Sequence, residues 1–113
     1  MAIQPQILLM DEPFGALDEM TRERMNLELH NIWRQTNTTI VFVTHSIAEA
    51  VFMSTKVLVM SARPGRIMHM VNVDLDIPRG EHTRHDTRFF ELETEVRDWL
   101  RKAESSATEE VGR

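Results

Sequence analysis

The chain has 113 residues, 42% of them hydrophobic, enough for one compact unit and too little for two. A formal net charge of -5 and a pI near 5.5 leave no basic stripe for a nucleic-acid backbone, and no nucleic-acid partner is expected. The absence of cysteine excludes a disulfide framework and a thiolate metal site, and is compatible with a reducing cytoplasm. The longest apolar runs are four residues (Ile7 to Met10, Ile40 to Val43, Val57 to Met60), against about 20 for a membrane span, and no export signal is visible.

Ile7-Leu8-Leu9-Met10 is an apolar run that ends in Asp11-Glu12, as expected of a parallel strand buried on both faces. Pro13 removes a ladder donor and Gly15 permits a sharp turn. Asp18 is placed to cap a helix whose dipole Glu19 complements. Met25, Leu29, Ile32 and Trp33 then recur at helical spacing as one apolar stripe, with Arg22, Arg24 and Arg34 on the solvated side, until Thr36-Asn37. Thr38 to Val43 is rich in β-branched residues and predicts a second buried strand, ending at Thr44-His45. Ser46 with Glu49 matches a capping box ahead of a short helix from Ile47 to Met53. Strand, crossover helix and strand form a βαβ unit with parallel strands.

Lys56 to Ser61 and Arg66 to Asp74 read as two further strands around Ala62-Arg63-Pro64-Gly65. Pro64-Gly65 suits a type II turn and therefore an antiparallel hairpin. Arg79-Gly80 opens a polar linker reaching Asp86, after which Phe89, Leu92, Val96, Trp99 and Leu100 fall on one face of a C-terminal helix. The fold class is therefore α/β, a parallel βαβ core followed by a hairpin and a helix. Residues 1–78 form the main unit, 79–104 the linker and amphipathic helix, and 105–113 a tail expected to be disordered. The eight methionines read as packing residues, and His30, His69, His82 and His85 as surface residues. Trp33 and Trp99 sit at core positions.

In open α/β sheets ligands bind beyond the carboxyl ends of the strands. Asp11 and Glu12 end one strand and His45 follows the next, so two carboxylates and an imidazole converge where a ligand is expected. An apolar strand ending in Asp-Glu is the Walker B pattern. Its first carboxylate holds Mg²⁺ directly or through water, while its neighbour orients or deprotonates the attacking water. Phosphoryl transfer asks mainly for positioning and electrostatics, so a few fixed groups suffice.

The block Ile7-Leu8-Leu9-Met10-Asp11-Glu12-Pro13-Phe14-Gly15-Ala16-Leu17-Asp18 resembles the Walker B and D-loop segment of ABC ATPases. Thr39-Ile40-Val41-Phe42-Val43-Thr44-His45-Ser46-Ile47-Ala48-Glu49-Ala50 resembles their H-loop segment. Val57 to Ser61 followed by Arg63-Pro64-Gly65-Arg66-Ile67 is similar to the nitrate, sulfonate and taurine importer group. The resemblance implies the second half of a P-loop NTPase domain that hydrolyses ATP with Mg²⁺ to energise a bacterial importer. It makes Glu12 the general base, His45 the switch histidine, Asp11 the Mg²⁺ and Mg-ATP carboxylate, and Asp18 a D-loop residue at the dimer interface. It further implies a second ATP-binding subunit, a transmembrane permease, indirectly a periplasmic solute-binding protein, and a place on the cytoplasmic face of the membrane.

None of the four glycines is followed by Lys, so the phosphate-cradling G-x-x-x-x-G-K-[ST] loop does not occur in these residues, and neither does the Leu-Ser-Gly-Gly-Gln segment. The chain is accordingly expected to be part of a longer domain, marginally stable and without ATPase activity alone. Two other readings remain open: a remnant or half-domain completed by a partner, without enzymatic activity, and an ABC ATPase of the DNA-repair type.

Overall fold

The computed structural model describes residues 7–36, 38–62 and 65–111. β1 (Ile7–Asp11) leads through a turn to α1 (Glu19–Gln35), then β2 (Thr39–Val43), α2 (Ile47–Met53) and the hairpin β3 (Lys56–Ala62) and β4 (Gly65–Asn72). A 3-10 turn, Glu81–His85, precedes the long α3 (Thr87–Val111). β1 and β2 pair in parallel from Ile7 opposite Thr39 to Asp11 opposite Val43, with α1 as the crossover, which is the expected βαβ unit. β3 and β4 pair in antiparallel fashion, with an irregularity between Val59 and Met60.

The core lies from α2 onward. α2 and α3 press Val51, Phe52, Leu92 and Val96 against Val57, Val59, Val71 and Val73 of the hairpin and its continuation. Leu92 and Val51 are fully buried, each burial contributing about 1.5–3 kcal/mol. Trp99 is half-buried, stacked on His69 with ring centroids 4.0 Å apart and with Lys102 above its ring at 4.4 Å. His69 is therefore a packed residue rather than the free surface histidine expected.

Several expectations change. β1 and β2 are not buried on both faces: Ile7 is 68% and Leu9 66% exposed, because among the described residues the sheet is two strands wide with no layer closed over it. α1 buries Asn26, Leu29 and His30, leaving Ile32 on the outside, so its inward face is part polar and sits one residue round from the apolar stripe. His30 is 1% exposed and is not a surface residue. Gly65 stands in β4 opposite Ala62 rather than at a turn corner; Arg63 and Pro64 of the anticipated type II turn lie outside the described residues. The polar linker is a built connection whose Arg79 is 3% exposed. α3 continues to Val111, through most of the segment expected to be disordered.

An open, largely apolar trough of about 1290 Å³ runs between β2 and β3, lined by Trp33, Ile40, Ile47, Met53, Leu58 and Leu100 among others. No helix among the described residues is long and apolar enough to cross a membrane.

Candidate functional site

The β1–β2 register brings the carboxyl ends of the two strands level, with Asp11 opposite Val43. Glu12 extends the ladder by one bond, its N–H donating to the Val43 carbonyl at 2.8 Å. It then departs from strand geometry with φ 47°, in the left-handed region that costs a non-glycine residue about 1–2 kcal/mol. Among the described residues it alone shows this, and such conformations concentrate at functional sites. The Gly15 N–H donates to the Glu12 carbonyl at 3.2 Å and so holds the reversal. The result brings Glu12 Oε1 to 2.9 Å from His45 Nε2, with the His45 side chain 92% exposed. The structure thus joins two of the residues singled out in sequence. Asp11 stands beside them at the strand end, exposed.

Asp18 is the N-cap of α1, its Oδ1 accepting from the Thr21 N–H at 2.8 Å. That hydrogen bond, reinforced by the Arg24 charge, holds its carboxyl below the usual range. Arg22 does not face solvent freely. Its guanidinium donates to the carbonyls of Phe14, Gly15 and Leu17 at 3.1 to 3.4 Å, tying the Pro13–Asp18 turn to the first turns of α1. A lone Arg four residues past a cap carries no sequence signal for this role, because the acceptors are main-chain groups.

At the start of α2 the capping box is half-formed. Ser46 Oγ accepts from the Glu49 N–H at 3.2 Å, but the Glu49 carboxylate turns away from Ser46 and accepts from Asn26 Nδ2 of α1 at 2.8 Å. The Ser46 N–H is met instead by Thr44 Oγ1 at 3.0 Å. The other end of α2 is closed by Arg79, whose guanidinium donates to the carbonyls of Val51, Phe52 and Ser54 and to that of Leu75. The Arg79 backbone N–H donates to His30 Nε2 at 2.9 Å. Burial, with the charges of Arg79 and Arg34, keeps the His30 imidazole below its ordinary value and therefore neutral. Burial likewise lowers the Arg79 and Arg84 guanidinium groups, which stay cationic.

Among the described residues no three His, Asp or Glu side chains cluster as a metal cage. Mg²⁺ needs no such cage: it is commonly held by one or two carboxylates together with phosphate oxygens and water. Asp11, exposed at the strand end next to Glu12 in the chain, offers one carboxylate of that kind.

No protein-family model matches the chain. It is 48% identical over 111 residues to the taurine import ATP-binding protein of Rhizobium johnstonii, covering 92% of this chain and 42% of that protein. It is 45% identical over 92 residues to an aliphatic sulfonates import ATP-binding protein of Bacillus anthracis, 81% of this chain and 36% of the other. An ABC transporter ATP-binding protein of Methanocaldococcus jannaschii is 52% identical over 79 residues, 70% of this chain and 30% of its own length. Identity at this level over most of its length makes the chain a member of the ABC transporter ATP-binding proteins, with taurine and sulfonate import proteins among its relatives. The chain spans 30 to 42% of the length of these three curated relatives.

Proposed function

We propose that this chain is the hydrolytic portion of an ATP site that energises import of taurine-, sulfonate- or nitrate-like solutes. The observation that carries the reading is the contact of 2.9 Å between Glu12 and His45 at the carboxyl ends of two parallel strands. Glu12 acts as general base: its carboxylate takes the proton of a water molecule whose oxygen forms the new bond to the γ-phosphorus as the bond to ADP breaks. His45 orients Glu12 and contacts the transferring phosphoryl group. Asp11 holds Mg²⁺, which neutralises phosphate charge when bound. Asp18 and its turn face a second ATP-binding subunit. The further partners are a membrane permease and, through it, a periplasmic solute-binding protein, with the domain on the cytoplasmic face of the membrane. Support for taurine and sulfonates comes from the named relatives, for nitrate only from the resemblance of residues 57–67, and support for the roles from the arrangement of the side chains.

The phosphate-cradling Gly-Lys motif does not occur in these residues, so the 113-residue chain alone is expected to hydrolyse ATP no faster than background. A chimera in which residues 7–111 replace their counterpart in the Rhizobium johnstonii protein is the test. It should hydrolyse MgATP, and Glu12→Gln should reduce kcat by about 10²- to 10⁴-fold. An inactive chimera, or one indifferent to Glu12→Gln, would overturn the reading.

A further inference from the structure

The contact between α1 and α2 is small and contains a buried polar pair where an apolar one would hold the helices at less cost. Asn26 is 1% and Glu49 4% exposed, joined at 2.8 Å. A buried carboxylate with an amide donor is a poor source of stability but a strict determinant of register, since sliding either helix leaves it unpaired. Both helices start at the candidate site: α1 follows the turn that leaves Glu12, and the α2 cap Ser46 directly follows His45.

The contacts close into a ring. His45 adjoins Ser46, whose Oγ accepts the Glu49 N–H; the Glu49 carboxylate holds Asn26. One turn earlier on α1, Arg22 gathers the carbonyls of Phe14, Gly15 and Leu17, and the Gly15 N–H holds the Glu12 carbonyl. Glu12 then returns to His45 at 2.9 Å. A polar cavity of about 220 Å³ borders the pair, with Arg84 at its wall, stacked 4.1 Å from the Phe52 ring centre and facing Glu49 and Glu23.

We propose that Asn26 and Glu49 are positioning residues that hold His45 against Glu12 by fixing α2 on α1. The proposal deepens the hydrolytic reading and rests on it for its consequence in turnover, but its geometry is tested without ATP. In the isotopically labelled full chain, nuclear Overhauser contacts between the His45 ring and the Glu12 side chain report the pair directly. Asn26→Asp sets two carboxylates against each other at the contact and should abolish those signals, with the amide shifts of β3, β4 and α3 unchanged. Glu49→Gln keeps a donor and an acceptor and should retain them. The reversed pair, Asn26→Asp with Glu49→Gln, restores the bond with polarity exchanged and should bring them back. Persistence of the contact in Asn26→Asp overturns the proposal, as does a reversed pair that fails to recover it, whether through loss of the contact or loss of fold.

In the chimera Asn26→Asp should lower kcat and leave KM unchanged, with no additional loss in a His45→Ala background. A loss that adds to that of His45→Ala would mean that the pair acts elsewhere, and would overturn the proposal. An inactive chimera would remove the hydrolytic reading while leaving the magnetic-resonance result to decide the geometry.

Discussion

At the scale of single residues, chemistry that matters here is carried by groups whose partners are far away in sequence. His30 is the clearest case. It is buried beside the rings of Trp33 and Phe52, accepts a bond from the Arg79 backbone, and faces the charges of Arg79 and Arg34. All of these favour the neutral imidazole in the folded chain, whereas the unfolded chain titrates near the ordinary value of 6.5. Above that pH neither state carries the proton and His30 makes stability independent of pH. Below it the unfolded chain takes up a proton that the folded one refuses, so stability falls with pH until the lowered folded value is reached. Urea unfolding at pH 7 and about pH 5.5 should show this drop, and His30→Gln, which keeps an acceptor without a titrating ring, should flatten it. An equal drop in both proteins would assign the effect to other groups. In the sequence, His30 occupied a helix position beside Leu29 with no visible partner, since Arg79 lies 49 positions further on. The strand-end places of Asp11, Glu12 and His45 and the cap position of Asp18 were legible because strand ends and caps announce themselves locally, whereas the left-handed turn that brings Glu12 to His45 had no sequence signal beyond Gly15.

At the scale of elements, the helices and strands followed their local signals closely. Asp18 and Ser46 cap α1 and α2 as their positions suggest, and α2 spans Ile47–Met53 as read from sequence. What local pattern could not supply was the inward face of α1, where Asn26 and His30 displace Ile32 because each finds a buried hydrogen-bond partner. The linker differs from its local pattern for the same reason: Arg79 and Gly80 look solvated in sequence, but the end of α2 presents its unpaired carbonyls to Arg79. Arg79 gathers three of them through Nη1 and reaches the Leu75 carbonyl with Nη2, so the two arms of the guanidinium serve different elements. Arg79→Ala should therefore lower unfolding stability by about 2–3 kcal/mol. Arg79→Lys should recover only part of that loss, because an ammonium can meet the carbonyls that Nη1 serves but not that of Leu75 as well. Chemical denaturation measures both; a Lys variant within about 0.5 kcal/mol of the parent would mean that the positive charge suffices and the fork does not matter.

For the whole molecule, burial is unevenly distributed, and the candidate site stands at the thinly covered end. Val59 and Val71 of the hairpin are each 2% exposed beneath α3, whereas Ile7, Leu9 and Val41 of the site-bearing sheet are 68%, 66% and 48% exposed. A two-stranded sheet with open faces has little independent stability, and the strands here are joined to the core through α1, α2 and the Arg79 connection. The trough beside β2 adds a further uncovered apolar wall. The 113-residue chain should therefore open in two stages, the β1–β2 sheet first and the α2–hairpin–α3 body last. Native-state hydrogen exchange resolves the two: amides of β1 and β2 should open with a free energy about 2.8 kcal/mol lower than those of Val57, Val59 and Val71, roughly a hundredfold less protection. In the chimera, where the rest of the relative's chain is present, the gap should narrow as the sheet gains neighbours. Equal protection of the two sheets in the isolated chain would show that α1 and its ties to Glu49 and Arg79 carry the β1–β2 sheet as firmly as the core itself, and that the site is held rigid by this chain alone.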